Sequence, residues 1–304
     1  MLHFFQSDSK YLYLLNLEEL THQGPAHFTQ IPLNITFNVP RFHKSLVTPK
    51  GNIYLLGGSI PEQNQKISNI YYYDPRGKDL KTVGNMVNPR SSHSVCYIND
   101  CIYIVGGFLN KQDFTTNCEI FDINKEKAYA IAGLNLACAV PGICPFNDRF
   151  IFKFGGLTEG LVLNNTIERY DIGMNVWELI DAKFDMHDVL RIDLKSFSLL
   201  SSCCCIQLNK NEILVFGGYK ANNESSNLSF VLTSESDERN ELDFIIKWIN
   251  YKPLLEAEGF WNNTPLIMYK KIWALQNISN DRNDDCLENE RKVVCFNSYG
   301  WRNY

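Results

Sequence analysis

The chain lacks most of what would place it in a membrane, in a secretory route or on nucleic acid. No run approaches the roughly 18 apolar residues that a spanning helix needs, so no membrane partner is expected. Met1 to Asp8 contain no basic stretch followed by a long apolar core, and no signal peptide is expected. Formal net charge is −5 with no basic stripe, which argues against nucleic acid as the main partner. Ten cysteines in 304 residues fall short of a disulfide scaffold. Most sit inside expected strands, where a thiol packs as a small hydrophobe. A reducing, cytoplasmic setting is expected, with association to the cytoskeleton as an option.

Metal and phosphate chemistry are also poorly supplied. No cysteine pair has the spacing of a zinc site, and Cys203, Cys204 and Cys205 alternate between the two faces of an expected strand. The six histidines are scattered. His43 and His93 recur two or three residues beyond an arginine, which reads as a repeat feature rather than a ligand pair. None of the four double glycines is followed by the lysine and hydroxyl residue of a phosphate loop. No metal and no cofactor is expected.

What is present is a repeat. Pro89 to Asn124 reads as a strand, a two-residue Asn99-Asp100 turn, a second strand ending in Gly106-Gly107, a polar loop and a third strand closing on Phe121-Asp122. Double glycines recur at Gly57-Gly58, Gly106-Gly107, Gly155-Gly156 and Gly217-Gly218, spaced 49, 49 and 62 residues, each after an apolar run. An aromatic–aspartate pair follows 14 or 15 residues after the second glycine in three units, at Tyr73-Asp74, Phe121-Asp122 and Tyr170-Asp171. A period near 50 with strand content marks an array of four-stranded blades, each burying both faces against its neighbours. Glycines at the end of a strand permit otherwise forbidden dihedrals and close approach of the next blade. The signature aromatic is expected to pack over that glycine surface.

The glycine pairs, the aromatic–aspartate pairs and Trp177, seven residues beyond Tyr170, resemble the kelch-repeat β-propeller family. The fold implied is all-β: one kelch-type propeller over 1–304, of six blades of four-stranded antiparallel sheets. A partial blade is expected at 1–38, full blades at 41–85, 89–134, 137–180 and 197–250, and a degenerate one at 260–304. In that last blade Gln276-Asn277 replaces the glycine pair and Trp301 follows Phe296. Residues 181–196 are too long for a tight turn and are expected as a short helix or a loop over one face.

The resemblance implies a non-catalytic module that binds another protein through loops on one face. Arg41 and Arg90 both follow a proline at the turn into an inner strand, and arginines at similar turns line acidic-peptide pockets in kelch adaptors of cullin ligases. Planar guanidinium groups on a rigid rim suit carboxylates. With Asp185, His187 and Trp261 from the longer loops, these are the expected partner contacts. If both arginines serve binding, replacing them leaves melting nearly unchanged. The other readings are a component of a large cytoskeletal or ciliary assembly and, less favoured, a sugar oxidase or epimerase on the same fold.

Overall fold

A computed structural model describes residues 2–15, 28–109, 113–185, 198–220, 222, 224–236, 242–247, 265–268, 271–277, 291–297 and 300–303. The chain forms two compact units, Met1–Val140 and Pro141–Tyr304. Strands dominate both.

Among the described residues the first unit holds three antiparallel sheets of three or four strands, besides the two-stranded hairpin of Ser59–Ile60 with Gln65–Lys66. Leu2–Phe5, Tyr11–Leu15 and Thr29–Pro32 make a three-stranded one. The second contains Lys44–Val47, Ile53–Leu56, Asn69–Asp74 and Asp79–Asn85, and the third Ser94–Ile98, Cys101–Val105, Cys118–Asp122 and Lys127–Ile131. The Asn99-Asp100 turn has both residues left-handed, as a two-residue hairpin with right-handed strand twist demands. In the second unit the fourth sheet consists of Gly142–Phe146, Phe150–Phe154, Ile167–Asp171 and Val176–Ile180. The fifth is built on Cys204–Asn209, Glu212–Phe216, Ser229–Ser236 and Leu242–Lys247, and the sixth on Leu266–Met268, Lys271–Asn277, Arg291–Asn297 and Gly300–Asn303.

Successive residues of one strand serve different cores. Leu55 packs with Leu12, Leu33 and Val39, whereas Tyr54 and Leu56 pack with Val95, Ile102, Ile104 and Phe121. In the second unit Val215 joins Phe152 and Phe154, while Leu214 and Phe216 join Ile272 and Ala274. Both faces of an inner strand are therefore dry, and continuous apolar runs replace the alternation of a half-exposed strand.

The glycine pairs fasten sheet to sheet through backbone. All eight glycines hold φ between +56° and +110°. A Cβ on the first of the pair would stand 2.6 Å from the Arg90 carbonyl oxygen at Gly57, 2.4 Å from that of Cys138 at Gly106 and 2.2 Å from that of Leu200 at Gly155. The same carbonyls accept the N–H of Gly58, Gly107 and Gly156 at 2.9, 2.8 and 3.2 Å. This corrects the expectation for the aromatic. Phe121 covers Gly84 in the outer strand of the preceding sheet, where a Cβ would lie 2.6 Å from the ring. Main-chain carbonyls already occupy the surface of the pair.

The aspartate of the signature closes the following hairpin. Asp122 Oδ1 accepts the Asn124 and Lys125 N–H groups at 3.0 and 3.1 Å, and Asp171 Oδ1 accepts those of Gly173 and Met174 at 2.9 and 3.1 Å. Asp74 does the same for Arg76. The second carboxylate oxygen pairs with a cation each time: Lys81, Lys125 or Arg149. Tyr170 and Trp177 are cross-strand partners with ring centroids 5.1 Å apart, and Phe296 and Trp301 share that register relation.

Two departures concern the longer segments. Lys183–Phe184, inside the expected insertion, is a strand that pairs in parallel with Leu242–Lys247 and adds a fifth strand to the fifth sheet. Residues 186–197 lie outside the described residues. In the sixth sheet Lys271–Asn277 stays paired through Gln276 and Asn277, because no glycine there turns the chain out of the ladder.

Candidate functional site

Arg41 and Arg90 hold matching places in the sequence pattern but not equivalent ones in the structure. The residue just beyond three of the four glycine pairs bridges to the turn before the inner strand: Ser59 to Arg41, Phe108 to Ser91 and Tyr219 to Ser201. The equivalent of Arg41 is thus Ser91, and Arg90 stands one residue earlier. One step later Phe42, Ser92, Val140 and Ser202 are all left-handed, with φ of 54°, 54°, 47° and 53°. The first three form a belt: the Ser92 N–H donates to the Phe42 carbonyl at 2.9 Å, and the Val140 N–H to the Ser92 carbonyl at 2.8 Å.

That single residue of offset decides the fate of each guanidinium. Arg90 is fully buried. Its Nη1 donates to the Gly106 and Asn117 carbonyls at 2.9 and 2.7 Å, and its Nη2 pairs with Glu119, itself fully buried. Glu119 also accepts the Val87 and Asn88 N–H groups at 2.6 and 3.0 Å. The expectation that Arg90 faces a partner is therefore corrected. It ties the inter-sheet connection to the third sheet, since a buried cation must be matched by charge and acceptors. A second buried pair, Lys153 with Glu168 at 3.4 Å, lies between directly opposed residues of the fourth sheet. Neither pair was foreseen, yet Glu119 and Glu168 each stand three residues before the signature aspartate within apolar strands.

Arg41, by contrast, is 46% exposed and pairs with the partly exposed Asp8. It lines a cavity of about 1150 Å³ between the second and third sheets. The floor and walls come from the turn at Arg41 and Phe42, the hairpin Ser59–Ile60 with Gln65–Lys66, the Asn88-Pro89 connection and the Phe108-Leu109 loop. Lys66 Nζ lies 5.3 Å from the centroid of Phe108, which packs against Phe114 at 4.6 Å on its other contact. Burial pulls the Lys66 ammonium below the usual lysine range, with Asp113 opposing. The lining carries two cations and no carboxylate. Phe42 is 46% exposed despite a left-handed backbone that costs a side-chain-bearing residue about 1–2 kcal/mol.

Of the remaining expected contacts Asp185 is the one among the described residues. Asp185 belongs to the second unit, half-buried, with its N–H on the Ile246 carbonyl at 3.0 Å along the edge of the fifth sheet. His187 and Trp261 lie outside the described residues. His93 is buried and His3 half-buried with its Nε2 shielded from water, and desolvation holds His3 down to about 4 and His93 well below the usual histidine range. Among the described residues no three His, Cys, Asp or Glu side chains converge as a metal-binding group, and no helix is long and apolar enough to cross a membrane.

Comparison with known proteins gives the repeat its name. Residues 40–79 and 89–127 match the Kelch motif. The chain is 32% identical over 145 residues to Ras guanine nucleotide exchange factor F of Dictyostelium discoideum, covering 46% of this chain and 12% of that protein. It is 26% identical over 133 residues to Kelch-like protein 23 of Mus musculus, covering 43% of this chain and 24% of that one. The chain thus spans a quarter or less of these relatives' length. A solved structure, that of YjhT, matches with a TM-score of 0.65 at 10% identity, over 97% of this chain and 91% of its own. That likeness is one of fold alone. With the Kelch motif and the four-stranded antiparallel sheets, the fold is that of a kelch-type β-propeller.

Proposed function

We propose that this kelch-repeat chain is a non-catalytic, intracellular protein-binding module whose docking site is the cleft at Arg41, Lys66 and Phe108, and that its partner presents an acidic segment. The observation that carries this reading is the cleft's charge: two cations, no carboxylate, and walls made of loops on a rigid sheet frame. The Arg41–Asp8 pair favours exchange. A pair this exposed is worth at most about 1 kcal/mol, so a partner carboxylate can take the place of Asp8 at little cost. The eight described cysteines are free thiols and seven are buried, in keeping with a reducing compartment. Cross-linking mass spectrometry in native extract tests the reading. Cross-links from Lys66 and Lys44 to one acidic partner, lost on Arg41→Glu, are expected; the same partner retained by that variant would refute the cleft.

A second reading, a fixed part of a larger assembly, draws on another feature. Leu161 and Val162 are 59% and 58% exposed at the tip of the Leu157–Thr158 and Val162–Leu163 hairpin. Leu161 is left-handed there, so the tip presents apolar surface at a cost in backbone strain. Cross-links concentrated on the exposed Lys183 rather than on Lys66 would favour the assembly.

A further inference from the structure

Three residues of the cleft stand in one row. Arg41 and Ser59 exchange both backbone hydrogen bonds, at 2.9 and 2.7 Å, and Ser59 is the register partner of Lys66 on its other side. Directly opposed residues of antiparallel strands project to the same face, each roughly 5 Å from its neighbour. The row therefore sets a hydroxyl between a guanidinium and an ammonium, and all three residues line the cleft. The repeat does not ask for this chemistry. The corresponding rows of the third and fifth sheets are Ser91, Phe108, Phe114 and Ser201, Tyr219, Ser225, with no cation in either.

Each cation has an acidic neighbour within the chain. Asp8 pairs with Arg41, and Asp113 opposes the desolvation that weakens the Lys66 ammonium. A phosphate monoester gathers comparable charge, between about −1.5 and −2 at neutral pH, on one group with three strong acceptor oxygens. A single carboxylate brings one charge and two oxygens, and matches one cation of the two. Ile60, Pro61, Phe108 and Leu109 extend the cleft with apolar walls to about 1150 Å³, room for a peptide chain rather than a free phosphate ion.

We infer that the row of Arg41, Ser59 and Lys66 recognises a phosphorylated serine or threonine in the partner segment. The guanidinium and the ammonium flank the phosphate, and the Ser59 hydroxyl donates to it from the middle of the row. The inference rests on the reading of the cleft as a docking site and replaces a general acidic group by one of defined chemistry. A planar guanidinium meets phosphate oxygens in pairs and the ammonium acts as a point charge, so the two cations are not interchangeable.

The test is a degenerate peptide library made in three forms, with phosphoserine, glutamate or serine fixed at the centre, and retained on the intact chain. The phosphoserine form should be retained best. Its consensus peptide should bind about tenfold or more tighter than the same peptide carrying glutamate. Lys66→Ala and Arg41→Ala should each close most of that gap, and Ser59→Ala should narrow it. Lys66→Arg keeps the charge and should keep the gap, which separates loss of a cation from loss of folding. Lys50→Ala removes an exposed lysine that does not line the cleft and should change nothing. Phosphoserine and glutamate peptides binding alike, or a gap that persists in Lys66→Ala, would overturn the inference and leave the docking site standing. A parent chain that retains neither charged form of the library would overturn both.

Discussion

Arg41→Ala and Arg90→Ala should differ sharply in urea unfolding. Losing Arg90 leaves Glu119 charged, buried and short of its partner, a loss of about 3–5 kcal/mol. Losing Arg41 removes an exposed pair and should change stability by about 1 kcal/mol or less. Equal melting of both variants would contradict the offset between the two positions. The glycines make a similar contrast. Gly106→Val drives a Cβ to within 2.4 Å of the Cys138 carbonyl at a φ of +63°, combining strain and overpacking of roughly 1–3 kcal/mol each. Gly51→Ala, at φ +84° with open space around it, carries backbone strain alone and should cost about 1 kcal/mol.

At the level of the element, the signature aspartate does two jobs that can be separated. Asp171→Asn keeps an oxygen for the Gly173 and Met174 N–H groups and loses the Arg149 ion pair; Asp171→Ala loses both. Melting temperature should fall in the order parent, Asn, Ala, and an Asn variant as unstable as Ala would make the ion pair dominant. The edge of the fifth sheet is a second element-level device. Lys183–Phe184 covers the outer ladder of Leu242–Lys247 with the chain's own backbone, which withholds those N–H and C=O groups from intermolecular pairing.

Across the first unit, acid stability should fall in two stages. Desolvation favours the neutral form of both His3 and His93, so their folded pKa values lie below the unfolded value near 6.5. The unfolded chain then binds more protons below pH 6.5. Stability is full above that pH and declines as pH falls toward about 4, where His3 titrates in the folded state. Asp74 and Asp122 are held below the usual carboxylate range, chiefly by side-chain hydrogen bonds from Lys81 and Lys125, so their contribution persists above pH 3.8 and is lost beneath it. Denaturant midpoints at several pH values check both stages. His93→Leu should flatten the upper stage, because neither ring nitrogen has a hydrogen-bond partner to lose.

Repeat spacing, strand content and hairpin chemistry were legible in the sequence by itself, because each depends on local backbone preference: glycine pairs, Asn-Asp turns and aspartate-capped hairpins act within a few residues. The all-β kelch-type fold followed from their recurrence. The packing partner of each signature residue was not legible, since Phe121 on Gly84 and carbonyls on the glycine pairs are meetings between sheets. The site was read only in part. Arg41 lay where a rim residue should, but Arg90 differed from it by one position that the pattern Pro-Arg concealed. The histidines held the clue, His43 standing two residues beyond Arg41 and His93 three beyond Arg90. Only the tertiary structure decided which guanidinium faces solvent, because a shift of one residue near a left-handed turn exchanges interior for surface.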